Sequence, residues 1–425
     1  MNIVLGILVG LVVLTFLIVS HELGHFIMAR RNGVRVKEFG VGFPPRAIAW
    51  VRSKPEKERK KGKWVRLKKS DWQKEQSSLI LSINWLPLGG FCAMDGESDD
   101  EEKAGTFGSV SYWKKTKILF GGVMMNWLVA FVILTVLAWV GMPAMLENQF
   151  TIKSDEKILI NEPVSVDEIL DGSPAALAGF QTGDQILSAS DTRILSASDV
   201  VSFNQSHAGE TVSYVVSRPV ASETACDCVQ EPCDCPSETK LETLTLNPTL
   251  NPSDSDYLLG ITMTNGSSAS RYSWSAPVVG AGLTVQMTAE TYKGLWNMLI
   301  NLATGAARQV SPDQKTRAEG RAQVSEATEG VSGIVGIIGG YFPSIISAGP
   351  TYTFLLAAII SISLAYMNVL PIPALDGGRW FMITLARLRH RKLSKETEQK
   401  IVSRAFLFLL ALMAVITVLD IIRLF

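Results

Sequence analysis

The sequence predicts a polytopic α-helical membrane protein with about four transmembrane helices and one soluble α+β domain. The 425-residue chain is 47% hydrophobic and has a formal net charge of zero. Its apolar residues are concentrated in long segments without charge, and its charged residues lie between these segments. This composition excludes a disulfide miniprotein, a disordered charged tail and a basic nucleic-acid binder.

Four segments are apolar enough to cross a bilayer. Residues 3–20 carry no Asp, Glu, Lys or Arg. A cleavable signal peptide is the competing interpretation of that segment, but it lacks a basic start and a small-residue cleavage site. The four predicted transmembrane helices lie within residues 1–30, 118–142, 351–377 and 401–425.

A further uncharged segment precedes the third predicted helix. Residues 331–375 contain no Asp, Glu, Lys or Arg, and the first half is rich in Gly and interrupted by Pro. These residues favour a re-entrant or surface-lying piece within residues 276–350. A fifth span there is the alternative.

The charges indicate the orientation of the chain. Lys and Arg are concentrated in residues 31–117 and 378–400, whereas residues 141–350 hold 24 acidic and 11 basic residues. Because basic loops face the cytoplasm, residues 31–117 and the basic loop at 378–400 are expected inside. Residues 141–350 are expected outside.

The first apolar segment continues as VSHELGHFIMAR. His21 and His25 are four residues apart and share one helical face, with Glu22 beside them. In H-E-x-x-H, the two imidazoles bind zinc and the glutamate acts as a general base. Polar groups at the end of a membrane helix are costly without a role. We therefore predict zinc binding by His21 and His25 and a catalytic Glu22. The alternative is a pair of interfacial histidines.

Catalytic zinc has three protein ligands and one open position. His207 falls in the outer segment and His390 in a basic loop, so a carboxylate is the better third ligand. Asp376 closes the third predicted helix, in AYMNVLPIPALDGGRW, at the same cytoplasmic depth as the histidines. The alternative for Asp376 is an acid in a turn before two glycines.

The same segment offers candidates for substrate binding. Pro371 and Pro373 lack backbone donors and break the helix, which frees carbonyls for a substrate strand. Asn368 is a candidate to hydrogen-bond a substrate carbonyl or an oxyanion, or else to form a helix–helix hydrogen bond. Asn126 in the second span is expected to support helix packing through glycines 121 and 122.

HELGH in a first span, with N-x-x-P-x-P-x-L-D-G-G in a later one, resembles the site-2 protease family of intramembrane zinc metalloproteases. The resemblance covers nearly the whole chain and is to the bacterial branch of the regulator of sigma-E protease type. It implies that His21, His25 and Asp376 bind Zn²⁺, that Glu22 activates water and that Asn368 contacts substrate. It also implies a bacterial inner-membrane enzyme that cleaves single-pass membrane proteins, such as an anti-sigma factor or a signal-peptide remnant.

Residues 34–97 favour hairpins because Gly and Pro punctuate partly alternating segments. The family has a membrane-associated β-hairpin region at this place. Gly89 and Gly90 are therefore expected beside a strand edge that holds extended substrate by main-chain pairing. A cytoplasmic cap without substrate contact is the alternative. The basic run with Trp64 and Trp72 between the strands either contacts anionic lipid or is a solvated loop.

Residues 150–265 carry the signals of a small soluble domain. A helix start at Ser173 and turns at Gly179 and Gly183 lie between predicted strands. The pattern resembles a single PDZ domain, whose strand edge can accept a peptide. In this family such a domain implies a size filter or a substrate gate.

Three segments near this domain carry separate expectations. The motif CDCVQEPCDC, with Cys226, Cys228, Cys233 and Cys235, favours disulfides over a second metal site because it is predicted outside the cytoplasm. Residues 276–306 are expected as an interfacial amphipathic helix. Residues 311–330 are expected as a flexible linker.

The leading hypothesis is a zinc-dependent intramembrane endopeptidase. Its expected partners are single-pass membrane proteins and the lipid bilayer, with no nucleic acid. The alternative hypothesis is a catalytically silent membrane scaffold that binds peptides through its PDZ-like domain. A zinc transporter is a third hypothesis, but no second polar span is available to line its pathway.

Overall fold

The computed structural model forms two compact units. The helical unit comprises Met1–Leu137 and Ala276–Phe425, and the β-rich unit comprises Ala138–Ser275. The described residues are 2–52, 64–68, 78–96, 103–146, 148–221, 239–253, 255, 257–264, 267–329, 333–346, 348–390 and 394–424. The four clustered cysteines and most of the basic run after residue 52 lie outside these ranges, and so do the predictions made for them.

The α-helices and β-strands are numbered in chain order. The helices are α1 (Asn2–Arg31), α2 (Tyr112–Val140), α3 (Pro174–Ala178), α4 (Ala197–Ser206), α5 (Ala276–Gln309), α6 (Gln314–Glu329), α7 (Ile334–Gly336), α8 (Phe342–Ile346), α9 (Pro350–Val369), α10 (Asp376–Leu388) and α11 (Lys395–Leu424). The strands are β1 (Val36–Arg52), β2 (Trp64–Arg66), β3 (Ile80–Met94), β4 (Met142–Pro143), β5 (Lys157–Glu162), β6 (Val164–Ile169), β7 (Gln185–Ala189), β8 (Thr192–Arg193), β9 (Tyr214–Ala221), β10 (Thr239–Leu246), β11 (Ile261–Met263) and β12 (Ser267–Arg271).

Four helices of the described chain are long and apolar enough to cross a membrane, as predicted. They are Ile3–Arg31, Tyr112–Val140, Pro350–Val369 and Glu396–Val418. Arg30 and Arg31 lie in the last turn of the first of these helices, where the helix dipole favours cations. These spans support the predicted polytopic membrane protein.

The helix boundaries around Asp376 differ from those predicted for the span at 351–377 and the loop at 378–400. The helix expected over residues 351–377 ends at Val369, and Asp376 begins the separate helix α10. The prolines and the extended backbone of Leu370 explain this break. The prediction of a basic loop at 378–400 was wrong for most of that segment, because α10 and the start of α11 lie there.

The expected flexible linker at 311–330 was also wrong. Residues 314–329 form α6, whose first turn is capped by Asp313, which accepts a hydrogen bond from the Thr316 backbone N–H at 2.9 Å. Gly305 and Gly320 let α5 and α6 pack closely, since a Cβ on Gly320 would lie 2.7 Å from the Gly305 carbonyl oxygen. The polar composition therefore belongs to a packed helix hairpin.

The Gly- and Pro-rich segment before the third span is helical but short. It forms α7, a π-helical turn over Ile337–Tyr341 and α8. Among the described residues it is too short to count as a fifth span. It packs against α1, where a Cβ on Gly6 would lie 2.5 Å from the Cα of Pro343.

The predicted hairpin region is an antiparallel sheet with strand order β2-β1-β3. Residues 86–94 of β3 pair with residues 36–43 of β1, and their other edge pairs with no described strand. This half of β3 packs on α1, where the Thr15 hydroxyl donates to the Pro87 carbonyl at 2.6 Å. The sheet edge is thereby held beside the helix that carries the histidines.

The β-rich unit is built on a sheet with strand order β10-β9-β7-β6-β11, with β8 paired to β7. Ser173 caps α3 and Gly179 ends it with a positive φ of 84°, at the positions expected from the sequence. A second sheet, with strand order β4-β12-β5, was not predicted. The core of the unit includes the fully buried Ile186 and Tyr214.

Candidate active site

Three predicted ligands converge in the helical unit. The Nε2 atoms of His21 and His25 lie 3.1 Å apart. Oδ2 of Asp376 lies 3.1 Å from His21 Nε2 and 3.2 Å from His25 Nε2. Both histidines are buried and Asp376 is half-buried. Residues 355 positions apart in the chain therefore present three donor atoms to one point.

These distances fit a zinc ion. Tetrahedral bonds of about 2.0–2.1 Å place neighbouring ligand atoms about 3.3–3.4 Å apart, close to the observed separations. Two nitrogens and one carboxylate oxygen are a donor set found at catalytic zinc, where a fourth position stays open. The site can hold zinc after only small adjustments of the side chains.

His25 is fixed by its second ring nitrogen. Its Nδ1 lies 2.9 Å from the carbonyl oxygen of Ile118 on α2. Since a carbonyl only accepts, Nδ1 carries the proton and Nε2 keeps its lone pair for a metal.

His21 is contacted by Asn126, whose role beside the histidine was not predicted from the sequence. Asn126 of α2 is fully buried, and its amide nitrogen lies 3.3 Å from His21 Nδ1. Its amide oxygen is buried and has no hydrogen-bond partner among the described residues. Rotating the amide by 180° exchanges the two ends. The oxygen would then accept from His21 Nδ1–H, which leaves Nε2 for the metal.

Asn126 was predicted to support helix packing, yet its side chain faces the metal site. Its backbone carbonyl accepts a hydrogen bond from the Ser361 hydroxyl at 2.8 Å. The signal that could have identified it was its spacing from Gly122, since residues four apart share a helical face.

Two glycines of α2 make room for the site. A Cβ on Gly122 would lie 2.6 Å from Nε2 of both His21 and His25. On the neighbouring face, a Cβ on Gly24 would lie 2.1 Å from the Gly121 carbonyl oxygen, so α1 and α2 meet backbone to backbone. Packing through Gly121 was predicted, whereas the open space at Gly122 serves the histidines.

Asp376 is placed by the backbone fold before it. After α9 the chain turns through Leu370–Leu375, with the Leu375 N–H donating to the Ile372 carbonyl at 2.8 Å. The turn closes over the next two residues, since a Cβ on Gly378 would lie 1.9 Å from the Ile372 oxygen. A Cβ on Gly377 would lie 2.1 Å from the Val369 oxygen. Asp376 then stands in the first turn of α10, where the helix dipole favours a carboxylate.

Side-chain contacts hold α10 against its neighbours. The Trp380 indole N–H donates to the Thr116 hydroxyl on α2 at 3.1 Å. Arg379 pairs with Glu398 of α11 at 3.3 Å. Asp376 therefore lies on a helix anchored to two predicted spans.

Glu22 connects the site to the sheet. Its carboxylate interacts electrostatically with His21, His25 and Asp376, and it accepts a backbone hydrogen bond from Cys92 of β3. It is thus near the three donor atoms without being one of them. A carboxylate beside the metal ligands is a candidate general base.

The predicted substrate-binding residues lie on two parts of the chain, α9 with the turn that follows it and β3. The Asn368 amide donates to the Leu364 carbonyl of its own helix at 2.9 Å. Pro371 is exposed and Pro373 half-buried in the turn that leads to Asp376. Gly89 and Gly90 lie against α1, where a Cβ on Gly90 would be 3.1 Å from Val19.

An H-E-x-x-H helix with a carboxylate as third donor defines the class of zinc metalloproteases. Residues 9–58 and 65–413 match the model of peptidase family M50. The chain therefore belongs to peptidase family M50, the site-2 protease family, as its two motifs indicated. It is a zinc metalloprotease, and its cofactor is Zn²⁺.

Three curated relatives align over 87% or more of their own length. The regulator of sigma-W protease RasP of Bacillus subtilis is 26% identical, over 96% of this chain and 96% of its own. The zinc metalloprotease RasP of Bacillus licheniformis is 26% identical, over 96% and 97%. The metalloprotease MmpA of Caulobacter vibrioides is 23% identical, over 91% and 87%.

Proposed function

We propose that this zinc metalloprotease is an intramembrane endopeptidase that cleaves the transmembrane segments of single-pass membrane proteins. The observation that carries the proposal is the position of His21 and His25, inside a helix of spanning length and composition. A soluble substrate would not require buried zinc ligands at that depth. The proposed location is the inner membrane of a bacterium, with the β-rich unit outside the cytoplasm as a PDZ-like substrate filter.

In this proposal His21, His25 and Asp376 hold the zinc ion. Bound zinc supplies a water of lowered pKa and polarises the peptide carbonyl. Glu22 accepts the proton of the attacking water on its carboxylate and passes it to the leaving amine nitrogen. Because the Cys92 N–H donates to this carboxylate, the base is oriented by β3.

The edge of β3 that pairs with no described strand is the proposed binding site for the substrate. A helix hides its peptide bonds, so the substrate must be extended before hydrolysis. Residues 86–94 include Gly89 and Gly90 and offer backbone groups for strand addition, and Cys92 places this edge beside Glu22. In this arrangement Asn368, Pro371 and Pro373 would contact the opposite side of the substrate.

The substrate class follows the relatives. The name of the Bacillus subtilis relative describes a regulator of sigma-W. We therefore propose an anti-sigma factor as the first substrate to test, with a signal-peptide remnant as the second.

The Glu22→Gln variant tests the mechanism. We expect it to keep its zinc and to lose cleavage by at least about 10²–10⁴-fold, the contribution of a general base. The purified chain would be mixed in lipid with a candidate single-pass substrate, and products and metal would be measured by mass spectrometry. Glu290→Gln, an exposed change on α5, is the matched control and should cleave like the parent. Turnover by Glu22→Gln near that of the parent would refute the proposed role.

A further inference from the structure

Two adjoining cavities follow the face of α2 that lies away from the metal site. The first, of about 530 Å³, lies between the end of α1 and the start of α2. The second, of about 440 Å³, lies between α2 and α5. Met124 lines both. We call the pair the α2 groove.

One end of the α2 groove is basic. Arg31 and Lys117 line it together with the polar side chains of Asn32 and Thr116. Within the described part of the chain, neither cation forms an ion pair. The Thr116 hydroxyl donates to the Tyr112 carbonyl at 3.1 Å and the Asn32 amide to the Met28 carbonyl at 2.8 Å, so the two cations are the groups that remain for a ligand. Two cations beside one cavity form a site for an anionic group such as a phosphate.

The other end of the α2 groove is apolar. Trp127 and Phe131 of α2 face Val285 of α5 across it. The hydroxyls of Thr284 and Thr288 donate to carbonyls of their own helix at 2.7 and 2.6 Å, so both threonines leave no unsatisfied donor toward the cavity. The apolar lining of this end is complementary to a hydrocarbon chain.

The dimensions of the groove agree with one lipid molecule. From Lys117 to Phe131 the helix rises about 21 Å, at 1.5 Å per residue. One leaflet of the hydrocarbon core is about 15 Å thick, which leaves about 6 Å for a head group. The basic end also lies at the end of α1 that the Lys and Arg distribution places in the cytoplasm, where the leaflet is anionic.

We propose that the α2 groove binds an anionic phospholipid of the cytoplasmic leaflet, with its phosphate between Arg31 and Lys117 and an acyl chain along Trp127 and Phe131. Gly122 and Asn126, on the opposite face of α2, contact the histidines. The lipid site is therefore separate from the catalytic site and does not depend on the proposed cleavage reaction. It requires that α1 and α2 lie in a bilayer with the basic end of the groove at the cytoplasmic face.

The test compares phosphatidylglycerol with phosphatidylcholine by native mass spectrometry of the full chain. Each cation near an anionic lipid contributes a factor of about five, so the parent should prefer phosphatidylglycerol by about 25-fold. The double variant Arg31→Gln/Lys117→Gln should abolish that preference. Val285→Trp fills the apolar end and should weaken binding of both lipids equally.

The matched control is Arg30→Gln/Lys114→Gln. It removes the same charge from exposed positions on the same two helices, outside the cavity lining, and should keep the preference. The proposal is overturned if Arg31→Gln/Lys117→Gln still prefers phosphatidylglycerol, or if the control pair loses the preference equally. Unchanged zinc content in each variant shows that the fold is intact. Slower substrate cleavage with unchanged lipid binding would instead assign the groove to substrate.

Discussion

The two sides of the metal site are built in different ways. His21 and His25 lie on one uninterrupted helix, so their spacing alone brings them together. Asp376 is the first residue of α10 and reaches the site only because the chain breaks after Val369 and folds back over two glycines. A helix supplies ligands by periodicity, whereas a broken segment supplies one through backbone contacts that a short motif does not display.

Removing a ligand from either side should have the largest effect. Loss of outer contacts to a metal ligand costs about 10–100-fold in affinity, so His25→Ala and Asp376→Ala should each lower zinc affinity by more than about 100-fold. Competition with a chelator would measure this loss, and cleavage should disappear with it. His390→Ala lies outside the cluster of donors and should bind zinc like the parent. A stoichiometric, tightly held zinc ion in Asp376→Ala would show that the third ligand is elsewhere.

Much of this site could be predicted from the sequence because its local patterns are strong. The H-E-x-x-H motif on an apolar helix predicted His21 and His25 as zinc ligands. The isolation of one acid after a long uncharged segment predicted Asp376 as the third. The second helix beginning at that acid was missed, because a motif of prolines and glycines shows a break but not its direction. Asn126 was misjudged because its partner is on another helix.

In the rest of the fold, too, local patterns were predicted from the sequence and long-range packing was not. The spans follow from hydropathy, and the sheet around β1 and β3 follows from Gly and Pro punctuation. Helix α6 was missed because polar composition was interpreted as a linker, although a capping aspartate and a glycine contact with α5 stabilise it. Long-range packing decides these cases, and a single sequence does not display it.

Gly378→Ala tests the broken side of the site. Its Cβ would lie 1.9 Å from the Ile372 oxygen, which is backbone and can move only with the turn before Asp376. Overpacking usually costs about 1–3 kcal/mol, and this contact belongs at the upper end. We expect a loss of about 3 kcal/mol in stability, measured by thermal unfolding, and weaker zinc binding.

Two glycine variants sharpen that test. Gly24→Ala should push α1 from α2, since its Cβ would lie 2.1 Å from the Gly121 oxygen, and should weaken zinc binding from the histidine side. The added Cβ of Gly294→Ala in α5 meets no atom of the described residues within 4 Å. This variant should leave zinc binding unchanged and stabilise its helix by up to about 1 kcal/mol. If Gly378→Ala behaved like Gly294→Ala, the turn would not determine where Asp376 lies.

Asn126→Leu tests the histidine side of the metal site, and its expected effect on zinc affinity is smaller than that of removing a ligand. Leucine has a similar volume but offers no acceptor, so His21 Nδ1–H would lose its partner and the ring its preferred tautomer. Outer partners of this kind contribute about 10–100-fold in metal affinity, and we expect a loss in that range. Asn126→Asp should retain zinc, because a carboxylate accepts the same hydrogen bond. Ser361→Ala removes only the contact to the Asn126 backbone and should bind zinc like the parent. Equal zinc affinity in Asn126→Leu and the parent would mean that helix periodicity alone positions His21, without help from α2.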